Sequence, residues 1–531
     1  MPGHADVDER TYPDRLDAGL IRIAGVCVLA VMMAVLDTTI VAVAQRTFVL
    51  EFASSQAVVA WTMTAYTLTL AAVIPVAGWA ADRFGTKRLF MVAVVAFTAG
   101  SLLCSMAPTI TLLIVFRIVQ GIGGGMLSPL ALTILAREAG PQRIGRLMAL
   151  LGIPIMLAPV AGPVLSGWLI DSYGWPWIFR INVPMGVLTL IAAGIVFAKD
   201  RAAPSETFDV VGMLLLSPGL AALLYGISSV AGYGTPTDPH VWLPAAIGVA
   251  MIGGFVFHAL HRADNPLLDL RLLTNRTTSA ANATMFLSTA AVFGVALLLP
   301  SCLQQLLRET PLQSGVHLMP LRLAPMLTMP IAGILLDRRG PGKVVVVGVT
   351  LIGAGLGIFG YGVWTQSAYL PTLLAGLAIM GLGLGCTAMP LAAASVQAMV
   401  PRQISRGSAL YHVNQQVAMS LGTAMMSVVL TREFRHSDNI RTARRIAILK
   451  EQAAKRGISP DLSALPPRAS TPGFAHAVLH DMAHAYTAVF VVAAILIVLT
   501  YLPAAFLPTT PPASRKGPLD ASRIPEAVAP A

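Results

Sequence analysis

Apolar residues in this chain run on for about 20 positions at a time, each run bounded by charge or by a Pro/Gly cluster. The runs fall at 20–44, 57–81, 89–107, 110–136, 147–170, 176–198, 208–230, 241–260, 277–303, 312–336, 344–364, 370–397, 407–431 and 485–507, which makes 14. Such a run crosses the hydrocarbon of a bilayer as a helix, because a helix satisfies its own backbone groups there. The pattern predicts an all-α polytopic membrane protein.

Composition narrows the class. Of 531 residues, 56% are hydrophobic and 11% charged, where a soluble chain carries about a quarter charged. Mean hydropathy is +0.73. These values exclude a disordered chain, a disulfide scaffold and an ordinary soluble enzyme. Cys27, Cys104, Cys302 and Cys386 are far apart and form no metal-like pair. Met1 to Leu20 is polar, with no apolar core and cleavage site, so no cleaved signal peptide is expected. No Gly-rich loop ends in Lys-Ser or Lys-Thr, which argues against ATP as the energy source.

Lys and Arg exceed Asp and Glu by 36 − 25 = 11. Basic residues of membrane proteins collect on cytoplasmic loops, so the excess reports orientation and not nucleic-acid binding. Even-to-odd loops carry Arg83, Lys87 and Arg88; Arg137, Arg143 and Arg146; Lys199 and Arg201; Arg262, Arg271 and Arg276; Arg338, Arg339 and Lys343; Arg402 and Arg406. The opposite loops hold few, such as Arg46 and Arg308. The alternation puts the first set and both termini in the cytoplasm of a cell whose inner or plasma membrane holds the chain. Loop 432–484 is basic too, yet parity places it outside; long loops obey the charge rule poorly.

The chain repeats itself. Gly78, Asp82, Arg83, Gly85 and Arg88 match Gly333, Asp337, Arg338, Gly340 and Lys343 at an offset of 333 − 78 = 255. Both copies join two spans on the same side, spans 2–3 and 10–11. Two six-helix halves would put the second copy between spans 8 and 9, so spans 7 and 8 read as an insertion. The expected organisation is a cytoplasmic N-terminus 1–19, a first half 20–198, inserted helices and linkers 199–275, a second half 276–507, and a disordered tail 508–531. Repeated halves hold substrate between them near mid-membrane in transporters.

Charges inside spans are costly and therefore informative. Asp37 is the one carboxylate deep in a span; it is a candidate proton site, or else a local hydrogen-bonding group near the end of its helix. Arg117, with Gln120 one turn on, can hold Asp37 ionised or compete with its proton if the helices are neighbours. Arg322 either balances charge in the second half or contacts substrate. Glycines such as Gly121 to Gly125 permit close helix approach. Span 5 carries Gly152, Pro154, Pro159, Gly162, Pro163 and Gly167, which suit a kinked, smooth contact between rocking halves. In the loop Gly78 to Arg88, Gly85 permits a tight turn, Asp82 can accept from a helix N-terminus, and Arg83, Lys87 and Arg88 can anchor at headgroups. Candidates to line a cavity are Thr38, Trp61, Tyr66, Gln120, Arg322, His412, Asn414 and Gln415. His476, His480 and His484 share a helical face and read as a polar helix entry before a metal site.

These residues resemble a known family. Gly78-Trp-Ala-Ala-Asp-Arg-Phe-Gly-Thr-Lys-Arg88 is similar to the signature loop of the major facilitator superfamily, and Arg117 to Gly125 to its fourth-helix motif. Ala158 to Gly167 resembles the antiporter motif of the fifth helix. Leu36-Asp-Thr-Thr-Ile-Val-Ala-Val-Ala44 and Trp175 to Gly186 resemble the 14-span drug:proton antiporters of the EmrB/QacA type. The resemblance implies a major facilitator fold of two six-helix halves plus two central helices. It implies proton-driven export by alternating access, with Asp37 as proton site and Arg117 as its regulator. Asp82 would latch one state by holding the end of a second-half helix, span 13. Gly162 and Pro163 would belong to the interface that distinguishes exporters. Ala80, Thr86, Ala42 and Ser166 depart from the usual motif residues.

The expectation is therefore a multidrug antiporter, not an enzyme, exporting amphipathic or cationic small molecules for protons, with membrane lipid around it, no cofactor, no metal and no nucleic-acid partner. A dedicated exporter of one metabolite, lipid or antibiotic on the same fold is the alternative. A non-transporting membrane receptor is a more distant one.

Overall fold

The computed structural model describes residues 17–140, 143–199, 208–233, 238–263, 266–397, 399, 403–456 and 473–510. Among them there are helices and turns but no strand. Membrane-length helices run in the order α1 (Ala18–Glu51), α2 (Gln56–Phe84), α3 (Thr86–Ser105), α4 (Ile110–Ala139), α5 (Ile144–Tyr173), α6 (Trp177–Val196) and α7 (Val210–Tyr233). They continue with α8 (Pro239–His261), α9 (Arg276–Leu306), α10 (Gln313–Arg339), α11 (Pro341–Trp364), α12 (Tyr369–Gln397), α13 (Ile404–His436) and α14 (Phe474–Ala504).

Thirteen of these are long and apolar enough to cross a membrane. The remaining one, α13, spans 33 residues but is more polar. It packs on α2, α4, α7, α9 and α14, so protein surrounds the side chains that lipid would reject.

Several boundaries differ from the hydropathy reading. α14 starts at Phe474, and the histidines 476, 480 and 484 therefore lie within its first turns. No group of three or more His, Cys, Asp or Glu among the described residues is placed to hold a metal ion. The segment read as loop 432–484 is largely helical: α13 runs to His436, and a strongly amphipathic helix, Asp438–Arg456, follows at once. α10 is broken at Leu318 and Ala324 into short pieces, among them Met319–Leu323, where prolines withhold backbone donors. Of the tail, Pro508 to Thr510 pack on the turn between α10 and α11, with Gly342 N–H donating to Pro508 O at 2.9 Å; residues 511–531 lie outside the described residues.

Helices α1 to α6 pack on one another, and α9 to α14 do the same. The inserted pair forms a tight hairpin in which α7 lies against α2 and α13 and α8 packs on α7. The halves meet where α2 and α4 cross α13, and where α5 crosses α10 and α12.

Candidate functional site

Three constellations occupy the positions that the sequence reading singles out. The first is interior to the first half. Asp37 on α1 and Arg117 on α4 are both fully buried and paired, Arg117 Nη1 donating to Asp37 Oδ2 at 2.5 Å. Gln120, one turn along α4, donates to Asp37 Oδ1 at 2.8 Å and accepts from Arg117 Nη1 at 2.8 Å. Asn182 at the start of the long part of α6 donates to Asp37 Oδ1 at 3.0 Å and to Ser101 Oγ of α3 at 2.9 Å. Ser101 in turn donates to Phe179 O. Arg117 Nε donates to Thr62 O of α2, and its guanidinium carbon lies 4.0 Å from the centre of the Tyr66 ring. Five helices thus converge on one carboxylate.

Burying a lone charge costs several kcal/mol, so the pair persists only because each ion has a counter-charge and oriented dipoles. The network is not saturated. Arg117 Nη2, Asn182 Oδ1 and Tyr66 Oη are buried without a hydrogen-bond partner among the described residues. The close approach of α4 that makes this possible rests on glycine: a Cβ at Gly121 would lie 2.9 Å from Thr69 Cβ, and one at Gly123 would lie 2.4 Å from Phe97 N.

The other two constellations tie the halves together, and they are related by the sequence repeat. Asp82 at the end of α2 accepts from Ser405 Oγ, in the first turn of α13, at 2.5 Å, and from Arg137 Nη2 of α4 at 2.8 Å, with Arg406 Nε 3.9 Å away. Asp337 at the end of α10 accepts from the backbone N–H groups of Gly145 and Arg146, both at 3.0 Å, and from Arg146 Nε at 2.9 Å. It caps α5 from the opposite half, where the helix dipole favours an anion. The turns that deliver the two carboxylates need glycine, since Gly85 sits at φ +90° and Gly340 at φ +77°.

Side chains around these carboxylates are stripped to let backbones touch. A Cβ at Gly78 would meet Ser405 O at 3.1 Å and Ala409 Cβ at 3.2 Å; one at Gly333 would meet Ala149 Cβ at 2.5 Å and Gly145 O at 2.7 Å. In α5, Gly152 faces Met329 of α10 while Gly162 faces Thr39 of α1. Pro159 is half-buried and Pro163 exposed. Gly167 has nothing within 4 Å, so its small size serves no contact here.

Some assignments change. Lys87 does not reach outward to headgroups: its Nζ donates to Gly194 O at 2.8 Å and Phe197 O at 2.7 Å, capping the end of α6. Arg88, Arg338 and Lys343 are exposed and Arg83 is half-buried. Among the cavity candidates, Tyr66 and Gln120 belong to the buried network. Trp61 stacks on Tyr225 of α7 at 5.6 Å, taken up by the inserted hairpin. Asn414 donates to Asn282 O of α9 at 2.9 Å and so packs within the second half. Thr38 turns its hydroxyl to Val35 O of its own helix. His412 Nδ1 lies 2.9 Å from Ser408 O, on the face of α13 that meets α2 and α4, and Gln415 is half-buried close to that face.

Asn182, Ser101, Arg137, Arg146 and Ser405 do not stand out as site residues in the sequence. Asn182 and Ser101 are legible in principle as polar residues inside apolar runs. The cross-half partners, Ser405 of Asp82 and Arg146 of Asp337, lie 323 and 191 residues away in the chain, and no local pattern names them, although the resemblance directs Asp82 to the end of span 13.

Residues 27–423 match the model of the Major Facilitator Superfamily. The chain belongs to this family. It is 58% identical over 511 residues to the multidrug resistance protein B homolog of Mycobacterium tuberculosis (strain ATCC 25618 / H37Rv), covering 96% of this chain and 94% of that protein. It is 28% identical over 415 residues to the multidrug export protein EmrB of Escherichia coli (strain K12), covering 77% of this chain and 80% of that one. Among solved structures, the proton:xylose symporter XylE bound to 6-bromo-6-deoxy-D-glucose superposes with a TM-score of 0.53 at 13% identity, over 90% of this chain and 94% of that one.

Proposed function

We propose that the chain is a proton-coupled multidrug exporter, carrying amphipathic small molecules out across the cell membrane in exchange for protons. The observation that carries the reading is the sealed Asp37–Arg117 pair, a mid-span carboxylate whose charge is balanced by an arginine of the same half. The names of the relatives support the drug-export part.

The chemistry follows from competition for one carboxylate. Arg117 occupies Oδ2 of Asp37 and two amides occupy Oδ1, so a proton must compete with these donors for the carboxylate. A proton arriving there releases the guanidinium, whose Nη2 has unused donor capacity, to other acceptors. That redistribution changes how α1, α4 and α6 pack. The halves in this structure are tied at Asp82–Ser405 and Asp337–α5, on the side of the signature loops. We read that side as cytoplasmic, which places both termini inside and makes this the outward-facing or occluded form. The proton gradient is the energy source and no cofactor takes part.

Two measurements test this. In proteoliposomes with an imposed proton gradient, a fluorescent amphiphile is expected to move in exchange for protons, and a proton ionophore is expected to abolish the movement. Arg117→Ala should still fold, since Asp37 can neutralise itself by taking a proton, but should lose the coupling. Full coupled activity in that variant removes Arg117 from the mechanism, and movement indifferent to the gradient in the original chain overturns antiport.

For orientation, a cysteine placed at exposed Arg444 of the amphipathic helix is expected to react with an impermeant maleimide on intact cells. The background is low because all four native cysteines are buried. Reaction only after permeabilisation would reverse the topology.

A further inference from the structure

The face of α10 that meets α5 can be followed residue by residue. Asp337, Gly333 and Met329 contact Gly145, Ala149 and Gly152 in turn. Further along the same helical face, at steps of three and then four positions, come Met326 and Arg322. Leu327, Ile331 and Ile334, 71%, 59% and 43% exposed, mark a different face, the one turned to lipid. Arg322 therefore points between the halves, on the piece Met319–Leu323 that packs on α5 and α12. It is exposed, and it makes no hydrogen bond or ion pair with any described residue.

The wall opposite is α1. Its buried face carries Asp37 and Val41; Thr39 and Ile40 meet Gly162 and Ser166 of α5, and Gln45 reaches Thr62 of α2. Between the α5 side and the α2 side lies the face Val35, Thr38, Ala42 and Arg46. Because α2 and α5 both run to the second half, that face also looks into the space between the halves. Ala42 is exposed there and too small to close the space. Arg46 is exposed and has no hydrogen bond or ion pair with a described residue. The carboxylates of the described spans lie elsewhere. Asp37 is sealed, and Asp82 and Asp337 bind the opposite half at the signature loops, with Glu138 at that same end of α4. Glu51, Asp171, Glu309, Glu433 and Asp481 stand at the other helix ends.

We infer that the space between the halves is a site for the anionic group of an amphipathic substrate, a carboxylate, sulfonate or acidic phenolate, which Arg322 binds and Arg46 attracts at the mouth. An uncompensated guanidinium in a low-dielectric cleft raises the local concentration of anions and repels cations. Its planar fork matches the oxygens of such a group. Val35 and Ala42 offer an apolar wall to the rest of the molecule. The inference rests on the export reading above and narrows the substrate class within it.

The test uses the full-length protein with three probes of similar apolar bulk: anilinonaphthalene sulfonate, an uncharged naphthyl amine and the cation ethidium. Binding is read by fluorescence on protein in detergent, and transport in proteoliposomes under a proton gradient. Arg322→Gln is expected to weaken sulfonate binding roughly ten- to hundredfold and leave the uncharged probe within about twofold. Arg322→Lys should recover part of the loss, and Arg322→Glu should turn the preference toward ethidium. Equal sulfonate binding by Arg322→Gln and the original chain overturns the inference, whatever the transport result. Gradient-driven transport of the uncharged probe or ethidium, with no binding of the sulfonate, sinks the inference and leaves export intact. Sulfonate binding lost in Arg322→Gln but no gradient-driven movement of any probe keeps the site and removes the export reading.

Discussion

Asp37→Asn is expected to carry no gradient-driven export and to fold less stably than the original chain. The side chain keeps its shape, so Gln120 and Asn182 can still find an oxygen. What disappears is the counter-charge of Arg117, which is fully buried and cannot shed its proton. Breaking a buried pair by removing one partner costs about 3–5 kcal/mol, most of it the stranded charge. The order of stabilities is then informative: Asp37→Asn should melt below Arg117→Ala, because only the carboxylate of this pair can neutralise itself. Thermal unfolding in detergent checks the stability order. Efflux from proteoliposomes checks the transport loss, with the rate expected to equal that of protein-free vesicles under a gradient. Export at the original rate would move the proton site elsewhere. A double variant, Asp37→Asn with Arg117→Gln, removes both charges and should regain much of the stability while remaining inactive, which separates folding from coupling.

Gly333→Val is expected to abolish transport by a different route. A Cβ at this position lies 2.5 Å from Ala149 Cβ and 2.7 Å from Gly145 O, the latter a backbone atom that cannot swing away. Overpacking costs about 1–3 kcal/mol even where side chains can adjust. Here the cost falls only on the state in which α5 and α10 touch, so the halves are pushed apart on the signature-loop side. A bias of about 2.7 kcal/mol shifts a two-state population about a hundredfold. Spin labels at Phe84 and Lys343, on opposite halves near that side, should report a longer distance in the variant. Gly167→Val is the control: nothing lies within 4 Å of that glycine, and both distance and transport should be unchanged. An unaltered distance in Gly333→Val would mean that the contact does not hold the closed state.

The fold class is legible in the sequence because lipid imposes one rule on every span. Runs of apolar residues mark all of α1 to α14, with edges a few residues out except at α14, which starts at Phe474 and not at 485, and the repeat at Asp82 and Asp337 marks the equivalent turns. The pattern is weakest where protein replaces lipid as the solvent. α13 is polar because it is surrounded by helices. The segment after His436 reads as loop because an amphipathic surface helix has no continuous apolar run.

The site divides along the same line. Asp37 and Arg117 stand out in sequence because a charge inside an apolar run needs a reason, and that reason is local in composition. Which groups satisfy the charge is not local. Asn182 is 145 residues from Asp37, and Ser405 is 323 from Asp82. Lys87 reads as a headgroup anchor in sequence, yet α6, more than 100 positions away, ends beside it and takes its charge. By itself the sequence determined the number of membrane-length helices, the costly charges and the turns, since each depends on what a short stretch does in lipid. Only the tertiary structure decided which groups surround Asp37, which residues Asp82 and Asp337 hold across the halves, and which arginines face the space between them. A buried ion takes its meaning from counter-charges a few ångströms away, and those come from helices far apart in the chain.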